Sequence, residues 1–136
     1  LMPSVLIKLG LIPALKEFTA KINQSGALKI HLQTHGLENR LNGSTETGLF
    51  RIIQELLNNI IKYARAKNVT VQLIKDEKQL TTMIEDDGVG FNINSIDKSE
   101  GIGWKNIKSR VQFLHGNFDI DSHINSGTTV TIDIPV

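Results

Sequence analysis

QELLNNIIKYA, residues 54–64, is the stretch on which the reading of the whole chain turns. At about 100° per residue, Ile52, Ile53, Leu56, Leu57, Ile60, Ile61 and Ala64 fill one half of a helix. Glu55, Asn59 and Lys62 fall within a stripe about 60° wide on the other side. An acid, an amide and a base on one ridge suit either a solvated face or a face turned to a ligand. Only the surrounding chain separates the two.

The pattern extends this helix over about 47–65, after the polar loop ENRLNGST, with Ser44 or Thr45 as its N-cap. Upstream, Pro13 suits a first helical position, Leu15, Phe18 and Ile22 recur at helical spacing, and Gly26 closes the segment. LKIHL, 28–32, alternates apolar and polar as a strand does. Downstream, VTVQLI (69–74) and QLTTMIE (79–85) flank a KDEK turn and predict an antiparallel hairpin. A third helix is predicted over 103–115, with Ile107, Val111 and Leu114 buried and Gly116 as its cap. NFDIDSH and TTVTIDI then close the chain as strands, the latter with Val130, Ile132 and Ile134 on one face. Hairpins and segregated helices predict an α+β fold, not a doubly wound parallel sheet. The expected architecture is a two-layer α/β sandwich: a mixed, mostly antiparallel sheet with helices on one face.

At 136 residues, 40% hydrophobic and 21% charged, the chain has the length and composition of one globular domain. A net charge of +1 gives no case for a nucleic-acid surface. Without cysteine there is no disulfide, thiolate metal site or cysteine nucleophile. No apolar run approaches the roughly eighteen residues of a membrane span, since Lys8 interrupts VLIKLGLI. The chain starts mid-pattern at Leu1-Met2-Pro3 and reads as a piece of something longer. Its four histidines, His31, His35, His115 and His123, have no partners at metal-ligand spacing.

DDGVGF, 86–91, follows a predicted strand directly. Asp86 at the strand end offers a carboxylate to a donor-only group such as the exocyclic amine of adenine. Gly88 and Gly90 permit a tight turn and a close backbone approach, although the same letters serve an ordinary surface turn. GIGW, 101–104, opens a helix, where glycines and the helix N-terminus favour an anion. It is neither a Walker loop nor a dinucleotide fingerprint. Glu55 and Asn59, four residues apart, supply the oxygen ligands magnesium prefers, and Lys62 supplies a point charge for a phosphate.

Together and in this order, these segments resemble the ATP-binding catalytic domain of bacterial two-component sensor histidine kinases. That family shares the Bergerat fold with gyrase, the heat-shock chaperone and MutL. QELLNNIIKYA is similar to the N box, DDGVGF to the first glycine box, GIGWKNIKSRV to the second and SGTTVTIDIP to the closing strand. A lid of only about ten residues is most similar to the nitrate-sensor and lipid-fluidity-sensor subfamily. The resemblance implies that Asn59 and Glu55 hold magnesium, Glu55 with a possible part as base, and that Lys62 touches the phosphates of ATP. It implies that Asp86 accepts the adenine amino group, with Gly88 and Gly90 shaping that pocket. Gly101 and Gly103 would let the lid close, and Thr128 would join the network around adenine. Trp104 stands where the family more often has an aliphatic residue, and Tyr63 where it often has histidine.

The resemblance further implies a division into residues 1–12, the end of a dimerisation helix and junction, and 13–136, the catalytic domain. The implied reaction moves the γ-phosphoryl of Mg-ATP to a histidine on an upstream helical hairpin absent from this chain. The implied partners are that hairpin, in a parent homodimer, and a cognate response regulator, without nucleic acid. The domain would be cytoplasmic, on a parent anchored in the inner membrane. A non-catalytic nucleotide-sensing module and an anti-sigma-type serine kinase on the same fold stay open as alternatives.

Overall fold

The structure, a computed structural model, describes residues 2–94 and 103–136. The elements run α1 Ser4–Leu9, α2 Leu11–Ser25, β1 Lys29–His35, α3 Gly43–Asn59, a π-helical turn Ile60–Ala64, β2 Asn68–Lys75, β3 Gln79–Asp86, α4 Trp104–Phe113, β4 Asn117–Ser122 and β5 Thr128–Pro135. The sheet has the order β1-β2-β3-β5-β4. β1 and β2 pair in parallel, which makes α3 their crossover, and every other pairing is antiparallel. This is the expected two-layer sandwich with its helices on one face.

Period-two alternation fixes which strand residues face the helices. Val69, Val71 and Leu73, then Leu80 and Ile84, then Val130, Ile132 and Ile134 are buried, and they meet Leu49, Phe50, Ile52, Ile53, Leu56 and Leu57 of α3. Phe50 also meets Phe18 of α2 edge-on. The outer edge of β1 is partly covered by a side chain. Asn23 accepts from Ile30 N–H at 2.6 Å and donates to Ile30 C=O at 3.1 Å, standing in for a strand neighbour.

Several boundaries differ from the sequence reading. The cap of α3 is Asn42, whose Oδ1 accepts from Ser44 N–H at 2.8 Å, so the helix begins before both Ser44 and Thr45. α2 begins at Leu11, which puts Pro13 third, still within the turn whose N–H groups lack intrahelical acceptors. α4 ends with His115, not Gly116, in the left-handed region. His115 N–H donates to Gln112 and Gly116 N–H to Val111, the paired bonds of a Schellman ending. Ile61 is exposed because the helix widens into the π turn at Ile60 and carries it off the apolar stripe.

The boundary expected between residues 12 and 13 falls inside α2. Leu6 of α1 and Leu11 are buried in the common core. Gly10 breaks the two helices apart, and one ion pair serves both broken ends. Arg40 Nη2 lies 2.8 Å from Glu46 Oε1, and its guanidinium also reaches the Ile7 and Lys8 carbonyls at 3.4 Å. Glu46, only 4% exposed, accepts from Leu11 N–H at 3.2 Å. Burial pushes the Glu46 carboxyl up, but Arg40 and the Leu11 amide outweigh it and hold the group below the ordinary carboxylate range. A depressed folded value means stability that is present above the unfolded value and lost as pH falls through the folded one. Glu46→Gln should therefore cost about 1–2 kcal/mol at neutral pH. Thermal melts should show the gap from wild type narrowing in acid; a gap constant with pH would remove the ion pair from the account.

Candidate functional site

At one end of the sheet the helical face opens into a cavity of about 160 Å³. Asp86 closes β3 in the same alternation as Leu80, Thr82 and Ile84, so the pleat that buries Ile84 also turns Asp86 inward. Strand register sets Thr128, the first residue of β5, opposite Asp86. Leu56, Asn59 and Ile60, with Tyr63 and Ala64 of the π turn, form the facing wall. Gly90, Phe91 and Trp104 close the sides. The cavity thus brings together Asn59, Asp86, Gly90 and Thr128 from the residues singled out in the sequence.

Asp86 is buried and its Oδ1 accepts from Gly88 N–H at 2.8 Å. Burial pushes its carboxyl above the ordinary value; the Gly88 amide pulls it back and neighbouring Asp87 pushes it up again. An acceptor held in an apolar pocket gains most from a donor-only partner, which is what an exocyclic amine is. Asp87 has a different task. It accepts from the Lys67 and Asn68 backbone N–H groups at 2.8 and 2.9 Å and from Asn68 Nδ2 at 2.9 Å. Those bonds, Asn68's first, hold its carboxyl below the ordinary value and clasp the glycine loop to the start of β2.

Gly88 is buried beneath the cavity and is not part of its lining. Val89 N–H donates to Ala64 C=O at 2.8 Å, and a Cβ on Gly88 would strike that carbonyl and approach Asp86 Oδ1 to 2.8 Å. Gly88→Ala should lower the melting temperature by an amount equivalent to about 1–3 kcal/mol and weaken nucleotide binding at least roughly tenfold. Melts and calorimetry check both, and an unaltered variant would show that the loop and π turn can separate freely. Gly90 needs its positive φ of 64°, which turns the chain beside His123.

Glu55 and Lys62 stand outside the lining. Glu55 lies one turn along α3, where a Cβ on Gly103 would come within 2.8 Å of Oε1 and where Arg110 Nε is 3.9 Å from Oε2. It marks the seam between α3 and the start of α4, which Gly103 opens with φ 73°. Lys62 is exposed, and Tyr63, displaced by the π turn, lines the mouth instead. Gly101 lies outside the described residues.

One participant escaped the sequence reading. Ser122 is buried at the end of β4; its hydroxyl accepts from Phe91 N–H at 2.9 Å, reaches Gly127 C=O at 3.2 Å and lies 2.8 Å from Thr128 Oγ1. It therefore ties the glycine loop to Thr128. A signal was there, since Phe118, Ile120 and Ser122 share one alternation and a polar residue ends it. Trp104 packs inward at 8% exposure, with its ring 5.9 Å from Phe91 and 5.8 Å from Phe118.

A helix-backed sheet with a carboxylate-floored apolar pocket at its end defines a small-molecule-binding sandwich. The model of the histidine kinase-, DNA gyrase B-, and HSP90-like ATPase family matches residues 44–136. The chain belongs to that family, and ATP is the nucleotide the family implies. The oxygen sensor histidine kinase NreB of Staphylococcus carnosus is 32% identical over 136 residues, all of this chain and 39% of NreB. The signal transduction histidine-protein kinase/phosphatase DegS of Bacillus subtilis is 34% identical over 98% of this chain and 36% of its own length. The chain thus spans well under half of these curated relatives. Among solved structures, the blue-light activated histidine kinase of Erythrobacter litoralis EL346 superposes with a TM-score of 0.73 at 26% identity, over 92% of this chain and 41% of that one. The catalytic domain of histidine kinase ThkA shares the fold, with a TM-score of 0.72 at 13% identity over 92% of this chain and 89% of that domain.

Proposed function

We propose that this chain is the catalytic part of a sensor histidine kinase, binding Mg-ATP and passing its γ-phosphoryl group to a histidine on a helical hairpin. The observation that carries the reading is the buried Asp86 carboxylate, beside its strand partner Thr128 in the lining of an apolar cavity, in a chain of this ATPase family. Asp86 accepts the adenine amine, Gly88 and Gly90 shape its pocket, and Thr128 completes the polar edge, held by Ser122. Asn59 faces the same cavity, one helical turn from Glu55.

Among the described residues no cluster of three or more acidic, histidine or cysteine side chains stands ready for a metal. Two oxygen donors on adjacent turns of α3 nevertheless fit magnesium, which keeps waters and takes few protein ligands beside substrate phosphates. When bound, magnesium neutralises charge on the β- and γ-phosphates. By the family resemblance, Lys62 would touch the phosphates, and Gly101 and Gly103 would let the lid close over them. The acceptor imidazole nitrogen attacks phosphorus, the bond to the β-phosphate oxygen breaks and ADP leaves. Positioning and charge stabilisation supply most of the rate.

Residues 1–12 would then join the catalytic domain to the dimerisation hairpin of a parent homodimer, with a response regulator downstream. No helix among the described residues is long and apolar enough to cross a membrane. The reading places the domain in the cytoplasm, on a parent anchored in the inner membrane. The test is phosphoryl transfer from labelled ATP to a supplied histidine hairpin from NreB or DegS. Acid-labile product is expected; acid-stable product points to a serine kinase, and tight ATP binding with no transfer points to a nucleotide sensor.

A further inference from the structure

The nucleotide reading leaves one wall of the pocket without a task. Trp104 is the first residue of α4 and the only tryptophan in the chain. It lines the cavity beside Phe91 and rests on Phe118 behind. Its Nε1–H is buried with no hydrogen-bond acceptor among the described residues. An aliphatic side chain would fill core volume without leaving a donor unpaired, so packing alone does not account for an indole here. What the indole adds is a broad, polarisable face.

Asp86 cannot choose the base unaided. A carboxylate takes a hydrogen bond from any exocyclic amine, and adenine and cytosine both carry one. The two bases differ in the area they lay against a wall. We propose that Trp104, backed by Phe91 and Phe118, is the specificity-determining residue that makes this pocket prefer an amino-purine nucleotide to an amino-pyrimidine one. The inference rests on the nucleotide reading above and adds the choice between bases. Base–aromatic stacking is strong enough for loss of the indole face to weaken ATP binding about tenfold.

The experiment compares ATP and CTP by calorimetry in wild type, Trp104→Leu and Trp104→Phe. Both nucleotides carry the same triphosphate and an exocyclic amine, so CTP controls for the phosphate contacts and for the amine that Asp86 accepts. Trp104→Leu should weaken ATP about tenfold and CTP far less, narrowing the preference, while Trp104→Phe keeps most of it. In wild type, the emission of the single tryptophan should change on ATP addition, a readout that needs no variant to fold. Equal loss for both nucleotides, an unchanged ratio, or tryptophan emission indifferent to bound ATP would overturn this inference and leave the nucleotide site standing. A wild-type chain that binds neither nucleotide overturns the nucleotide reading and this inference with it.

Discussion

Asp86→Asn should bind ATP about a hundredfold more weakly than wild type, the loss of one hydrogen bond to a charged acceptor plus a misplaced amide donor. The fold should not suffer. Burial raises the Asp86 carboxyl, so its ionised form is disfavoured in the folded chain. A raised folded value means that stability is lost as pH rises from the unfolded value through the folded one, and the amide removes that loss. The variant should melt at the same temperature as wild type or higher. An adenine amine held by Asp86 would favour the ionised carboxylate, so wild-type ATP affinity should fall as pH is lowered through the raised range. In Asp86→Asn that slope should vanish. Calorimetry over a pH series, beside thermal melts, reads all three; a variant that loses both binding and stability would make Asp86 a structural residue.

Asn59→Ala should separate binding from chemistry. Asn59 stands on the cavity wall opposite Asp86, at the end of α3 where the helix widens into the π turn. If it holds the metal, ATP without magnesium should bind the variant within about twofold of wild type, and the gain on adding magnesium should disappear. Transfer to a supplied histidine hairpin should fall at least about a hundredfold, because phosphoryl transfer depends on positioning and charge stabilisation. A variant that keeps its magnesium dependence would move the metal to other ligands.

Asp86 was legible because strand alternation and the glycine turn both speak locally: an acid in phase with Leu80, Thr82 and Ile84, followed at once by DGVG. The apolar half of α3 was legible for the same reason, by its period. The π turn was not, because Ile60, Ile61 and Ala64 satisfy an α-helical stripe as letters whichever way the backbone winds. The cap of α3 was misplaced because NGST offers several capping side chains in succession, and backbone geometry chooses Asn42 among them. Glu46 gave no sign of burial, since its partners Arg40 and Leu11 lie in other elements. Trp104 was ambiguous for a like reason: only the placement of Phe91 and Phe118 shows which way the ring turns.

The most direct measurement of the central claim is a nuclear magnetic resonance titration of the ¹⁵N-labelled chain with ATP, with and without magnesium. The account predicts saturable shifts at the backbone amides of Asn59, Asp86, Gly88, Gly90 and Thr128, together with the single indole N–H of Trp104. Magnesium should enlarge the Asn59 response most. Shifts gathered elsewhere, for instance around the exposed Phe113 at the far end of α4, or none at millimolar ATP, would contradict it.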